Sequence, residues 1–251
     1  MFSITPIRAF SDNYIWVLHQ HGYAIAVDPG DDKPLMDFLN HHQLALSMVW
    51  VTHHHHDHTG GLTALATYWP HLTIYGPPTV SQVTHPVKEG AVIPFLDNNA
   101  SVLSVPGHTL DHLAYWVPGH LFCGDTLFGA GCGRVFEGIT ANLYQSLRRL
   151  AQLPGDTFIY PAHEYTLKNL LFAQEVDPSN PAITTRYIEA QAKQERGQPT
   201  LPSTLTQERA TNPFLRTQEP ELIAAASRHA NHRLTTGEQV FSELRRWKNT
   251  F

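Results

Sequence analysis

One run constrains this chain more than any other: Thr52-His53-His54-His55-His56-Asp57-His58. It follows Leu46-Ser47-Met48-Val49-Trp50-Val51, whose apolar and β-branched residues predict a buried strand. On extended chain, residues i and i+2 point the same way. His53 and His55 can therefore reach one cation, and Asp57 and His58, a bend further on, can reach another. Imidazole and carboxylate are donors that a zinc-like divalent ion takes. His54 and His56 then point away from the ligand side. A histidine-rich surface tract is the plainer alternative, and with 17 His in the chain some are incidental. Gly60-Gly61 allows tight backbone, and Leu62 to Tyr68 reads as a short helix.

The same grammar recurs three times. Ser101 to Val105 runs into Pro106-Gly107-His108-Thr109, Leu121-Phe122-Cys123 into Gly124-Asp125-Thr126, and Phe158-Ile159-Tyr160 into Pro161-Ala162-His163-Glu164. Each is a short apolar run, then turn-forming residues, then a donor. Strand ends converging on one sheet edge place a site on rigid elements. Each donor also has a plain reading as a core or turn residue. The seven donors divide between two ions: His53, His55 and His108 for one, Asp57, His58 and His163 for the other, with Asp125 bridging. Two cations about 3.5–4 Å apart can share a water and lower its pKa toward about 7. Asp57 and Asp125 would act in catalysis as ligands that position the hydroxide.

The remainder of the chain sets bounds. At 251 residues it is one large domain or two modest ones, and 42% hydrophobic residues suffice for a core. No stretch approaches the roughly 20 apolar residues of a membrane span. The N-terminal residues lack a basic segment followed by an apolar one, so a cytoplasmic protein is expected. Cys123 and Cys132 read as reduced thiols, with cysteine catalysis a weaker alternative. The formal net charge of −5 argues against nonspecific nucleic-acid binding. Strands are predicted over Ser3 to Arg8, Tyr14 to His19, Tyr23 to Val27 and Leu72 to Tyr75, with a hairpin across Pro118-Gly119. Helices are predicted over Pro34 to His42 and Asn142 to Leu153, then over Leu167 to Glu175, Ala182 to Arg196, Pro220 to Ala230 and Gly237 to Trp247. Interleaved strands and helices imply an α+β chain of two sheets with outer helices, followed by a helical part. The expected domains are 1–170, holding the metals, and 171–251. Asp28, in Asp28-Pro29-Gly30, is either a turn residue or a carboxylate that orients a ligand histidine. Arg245, Arg246 and Lys248 lie within one turn, either as cations at a helix C-terminus or as a clamp for carboxylates.

The run Thr52 to His58, with Pro106-Gly107-His108-Thr109, Gly124-Asp125-Thr126 and Ala162-His163-Glu164 in order, resembles the metallo-β-lactamase superfamily. Ala9 to Trp16, Val27 to Gly30, Cys123 to Phe128, Gly131 to Arg134, Phe136 to Gly138, Ala162 to Thr166, Thr211 to Arg216 and Arg245 to Phe251 are similar to stretches of glyoxalase II, hydroxyacylglutathione hydrolase. This resemblance implies the αβ/βα metallo-β-lactamase sandwich and a C-terminal α-helical glutathione-binding domain. It implies hydrolysis of S-D-lactoylglutathione to glutathione and D-lactate, the second step of methylglyoxal detoxification, by a monomer. It carries the metal-ligand role onto the seven donors above. It implies two divalent metal ions per chain, zinc first, with iron or manganese accepted by the same donors. It places Arg134, Tyr165, Arg245 and Lys248 on glutathione, with Phe136 lining the pocket where some members carry Tyr. Asp111 stands where the family often has Gly, which questions the local turn. A persulfide dioxygenase, a lactonase, a β-lactamase or a nuclease on the same scaffold are rival readings. So is a zinc-stabilised binding protein, although structural zinc usually takes four closed ligands.

Overall fold

The computed structural model describes residues 2–251. The chain packs as two compact units, one holding residues up to Val105 with Asp111–Gly124, the other Pro106–Leu110 with Asp125–Phe251.

The first unit opens with β1 (Ser3–Ala9), β2 (Asn13–Gln20) and β3 (Tyr23–Val27), antiparallel to one another. α1 (Asp32–His41) crosses to β4 (Ala45–Trp50), which pairs parallel with β3 and sets Val27 beside Trp50. Two strands thus end side by side, and Asp28 and Thr52 leave the same edge. α1 starts earlier than the sequence suggests because Asp31 caps it, accepting from the Lys33 N–H. After α2 (His56–Thr59) and α3 (Leu62–Tyr68), β5 (Thr73–Gly76) and β6 (His85–Pro86) extend the sheet in the order β1-β2-β3-β4-β5-β6. β7 (Val92–Phe95), β8 (Asn98–Ser104), β9 (Leu113–Val117) and β10 (His120–Gly124) form an antiparallel run beside one another. The core includes Ile15, Val17, Leu35, Val49, Leu65 and Ile74. β9 is tied to the histidine loop: the Tyr115 hydroxyl donates to the Val51 carbonyl at 2.6 Å, and Leu113 N–H to the Thr52 carbonyl at 2.8 Å.

The second unit holds a two-stranded hairpin, β11 (Leu127–Phe128) and β12 (Gly131–Cys132), then α4 (Thr140–Leu150) and β13 (Phe158–Pro161). α5 (Thr166–Val176), α6 (Pro181–Glu195), β14 (Ser203–Thr204), α7 (Leu205–Thr211), α8 (Pro220–Ala230) and α9 (Gly237–Lys248) follow. α4 stops at Leu150 rather than Leu153. Pro154 disfavours helical backbone at the residue before it. α7 has no counterpart in the sequence reading, since seven residues are too few to show a helical period.

The hairpin turn is held by side chains from the helices. Ala130 has φ 53°, an uncommon conformation for a residue with a Cβ. Its N–H donates to Glu208 Oε2 at 2.8 Å, Asn212 Nδ2 donates to the Gly131 carbonyl at 2.9 Å, and Asn169 Nδ2 donates to the Gly129 carbonyl at 3.0 Å. Glu208 is fully buried and also accepts from Arg186, Ser203 and Asn212. Removing one partner of a buried ion pair strands the other. Glu208→Ala is therefore expected to cost about 3–5 kcal/mol, read as a lowered urea midpoint. Glu208→Ala with Arg186→Met is expected to recover part of that loss.

Candidate metal centre and cation cluster

In the first unit, the loop after β4 carries His53 and His55, and α2 carries Asp57 and His58. His53 Nε2 and His55 Nδ1 lie 3.0 Å apart, and His58 Nε2 lies 3.6 Å from Asp57 Oδ2. The remote ring nitrogens are engaged. The Asp28 carboxylate accepts from Thr52 N–H at 2.7 Å and from the Thr52 hydroxyl at 2.7 Å, and faces His58 Nδ1 at 3.0 Å. Of the two readings of Asp28, the orienting one describes its contacts. The Thr52 proton goes to Asp28, so its oxygen accepts from His53 Nδ1, 3.0 Å away. That fixes the His53 tautomer and leaves the Nε2 lone pair outward. His112 stacks on the His53 ring with centroids 4.6 Å apart. Asn13 Nδ2 donates to Asp57 Oδ2 at 3.0 Å.

In the second unit, Asp125 presents one oxygen to each of two imidazoles: Oδ2 to His108 Nε2 and Oδ1 to His163 Nε2, both at 3.3 Å. His108 Nδ1 lies 2.9 Å from the Arg134 carbonyl, which can only accept, so the proton sits on Nδ1. In the neutral ring the His108 Nε2 lone pair then faces a carboxylate oxygen, a repulsion that a proton or a cation between them relieves. The donor set suits a divalent ion. Tyr165 stacks on His163 at 4.8 Å with the rings 5° from parallel.

The expected bystanders behave differently from each other. His56 is exposed in α2. His54 Nδ1 meets Asp111 Oδ2 at 3.0 Å, and that carboxylate also accepts from the Thr79 hydroxyl. Asp111 does not take a left-handed conformation, so no glycine is required at this position.

The glutathione candidates lie in the second unit. Arg245 is buried, and its Nη1 donates to the Cys132 carbonyl at 2.8 Å, while its Nε has no hydrogen-bond partner among the described residues. Lys248 Nζ lies over the Phe172 and Phe251 rings. Burial lowers the Lys248 pKa to about 8, and the nearby Arg245, Arg134 and Lys168 push the same way. Four cations thus share one neighbourhood. Lys168 was missed from the sequence because one lysine in an otherwise ordinary helix gives no signal. Arg246 instead pairs with Glu243 at 2.6 Å. Phe136 is exposed and packs edge-on to His108 at 5.2 Å. Burial pushes the Cys132 thiol up to about 11 against the pull of Arg245, so it stays protonated near neutral pH and offers no thiolate nucleophile.

Residues 164–251 match the family model described as hydroxyacylglutathione hydrolase C-terminus, and residues 9–163 match the metallo-beta-lactamase superfamily. A hydroxyacylglutathione hydrolase of Nitrosomonas europaea is 46% identical over 255 residues, covering 100% of this chain and 97% of its own. This chain belongs to the hydroxyacylglutathione hydrolase family, glyoxalase II. A relative of the same name in Xanthomonas euvesicatoria is 48% identical over 251 residues, covering 99% of this chain and 98% of its own. Among solved structures, ETHE1 from Myxococcus xanthus covers 100% of this glyoxalase II family member and 99% of its own chain, at TM-score 0.66 and 22% identity. TTHA1623, solved in a di-iron-bound form, covers 63% of this chain and 91% of its own, at TM-score 0.56 and 25% identity. The fold is the metallo-β-lactamase fold with the family's C-terminal domain.

The Thr52 hydroxyl is the hinge of the first unit's donor set. Thr52→Val keeps the shape and removes both hydrogen bonds. It is expected to weaken metal retention about 10–100-fold, measured by chelator competition, while Thr52→Ser retains affinity.

Proposed function

We propose that this chain hydrolyses S-D-lactoylglutathione to glutathione and D-lactate, the second step of methylglyoxal detoxification. His53, His55 and His108 would hold one divalent ion, Asp57, His58 and His163 a second, and Asp125 both. The observation that carries this reading is the Asp125 carboxylate, with one oxygen toward each of two imidazoles at 3.3 Å. The full-length relatives bear the hydrolase's name, and TTHA1623 was solved with two irons, which supports a two-ion centre without choosing between zinc, iron and manganese. When bound, such ions supply Lewis-acid polarisation of the thioester carbonyl and acidify the attacking water.

The chain's own residues do the rest. Glutathione carries two carboxylates and a free amino group. Arg134, Arg245 and Lys248 supply positive charge for the carboxylates, and Lys168 lies close enough to join them. Arg245 enters with a buried Nε still unpaired among the described residues, a donor already desolvated for an anion. Tyr165, stacked on His163, and exposed Phe136, edge-on to His108, present flat faces beside two of the donors. Phe136 brings no hydroxyl. The leaving group is a thiol of pKa about 8.5, which departs as thiolate. No side chain is then needed as a strong general acid, which suits a site whose carboxylates, Asp57 and Asp125, are committed as ligands. Residues 1–170 would hold the metals, and Arg245 and Lys248 of residues 171–251 would meet glutathione together with Arg134, Phe136 and Tyr165 of the first part.

The assay is loss of thioester absorbance with S-D-lactoylglutathione, with metal content determined on the same sample. Turnover with about two metals per chain is expected. Asp125→Ala is expected to lose metal and turnover together, and wild-type-like values in that variant would sink the ligand assignment. Lys248 adds a pH signature. Its ammonium is present below its pKa of about 8 and lost above it. KM is therefore expected to be lowest below that value and to rise as pH passes through it. Lys248→Arg should flatten the rise, and Lys248→Met should raise KM below a pH of about 8 and approach the wild-type value above it.

A further inference from the structure

We propose that Phe251 is a positioning residue for glutathione: with Phe172 it forms a two-ring seat that holds the Lys248 ammonium where a glutathione carboxylate is met. The inference rests on the reading that Lys248 binds that carboxylate. Every residue in it belongs to the second unit.

The seat answers a repulsion. Arg245, Arg134 and Lys168 all act on Lys248 as like charges. Cys132 would oppose them only as a thiolate, which its pKa of about 11 excludes near neutral pH. A lysine ammonium rides on a flexible four-carbon stem, so in such company it is free to swing out to water. Lys248 makes no ion pair among the described residues. Its Nζ donates to the Lys168 carbonyl at 3.3 Å, longer than an ordinary N–H···O bond.

Two aromatic faces supply the missing attraction. Nζ lies 5.4 Å from the Phe172 centroid and 5.2 Å from the Phe251 centroid, inside the roughly 6 Å over which a ring face attracts a cation. Phe172, in α5, is fully buried. It stacks on Phe214 with centroids 6.0 Å apart, and Trp247 meets it edge-on at 5.8 Å. Phe214 in turn lies under the Arg245 guanidinium, 5.2 Å from its centroid. One aromatic bed therefore carries both cations.

Phe251 reaches the same place by another route. It lies beyond α9, yet its N–H donates to the Trp247 carbonyl at 3.1 Å, so the helical bonding continues past Lys248. That brings residue 251 round to the side of Lys248, three positions earlier. Its ring packs on Phe172 at 5.3 Å and 69°, and remains 57% exposed. Burial accounts for little of that placement, whereas the cation contact uses the ring's face.

The test pairs kinetics with a titration of Lys248 itself, on the full-length, zinc-loaded protein. Phe251→Leu keeps an apolar side chain at an exposed position and removes the ring. It is expected to raise KM for S-D-lactoylglutathione about two- to fivefold below a pH of about 8, with kcat unchanged. Phe251→Trp is expected to hold KM at or below the wild-type value, because indole attracts a cation most strongly. In a Lys248→Met background, Phe251→Leu is expected to add nothing, since no ammonium remains to be seated. The carbon NMR signal of the Lys248 side chain reads the contact without substrate. The ring favours the charged form, so its loss is expected to lower the Lys248 pKa below about 8 and to start the rise in KM at lower pH. Wild-type protein without turnover would sink the hydrolase reading, and the titration would still decide the seat. An unchanged KM or an unchanged Lys248 titration in Phe251→Leu overturns the inference, as does an equal rise in KM from Phe251→Leu in the Lys248→Met background.

Discussion

The Asp28 carboxylate organises the first unit. Its residue sits at φ 52°, immediately after β3, in a conformation that favours glycine or a short polar side chain. From there its two oxygens take the Thr52 N–H, the Thr52 hydroxyl and a ring nitrogen of His58. The parallel register that sets Val27 beside Trp50 makes this geometry available, because both strands end at the same edge. The histidine loop therefore leaves β4 already oriented. Gly30 completes the arrangement: a Cβ there would collide with the Asp57 backbone, so the turn after Asp28 lies directly against the loop that it orients.

The second unit answers the same need with other means. Asp125 and His108 flank a tight hairpin whose backbone carbonyls and N–H groups are met by Asn169, Glu208 and Arg245 from helices beyond residue 165 and by Asn212, which caps α7. The helical part does more than present cations to a substrate. It supplies the hydrogen bonds that a hairpin of two-residue strands cannot provide for itself. Much of this support is fully buried and ionic, and its value lies in fixing one arrangement as much as in net stability.

Part of this was legible from residues alone. Short apolar runs ending in turn residues and donors mark β4, β10 and β13, because local pattern is what sets strands and their ends. The main C-terminal helices were legible for the same reason. What stayed hidden is long-range. Nothing local connects Arg186 with Glu208, or Ala130 with either. The tautomer of His53 depends on where the Thr52 proton goes, and that depends on Asp28, 24 positions earlier. The Asp28 motif admitted two readings until its neighbours were known. Lys168 is an ordinary helix residue in sequence and acquires meaning only from what faces it.

Arg134 serves two masters with two different parts of itself. Its backbone carbonyl fixes the proton on His108, while its guanidinium belongs to the cation neighbourhood of Lys248. The first task is indifferent to the side chain, since every residue type carries that carbonyl. The second depends on nothing else. Substrate preference at this position can therefore drift over evolutionary time without disturbing the chemistry beside it, and a lineage could change what it recognises while the machinery that cuts the bond remains as it was.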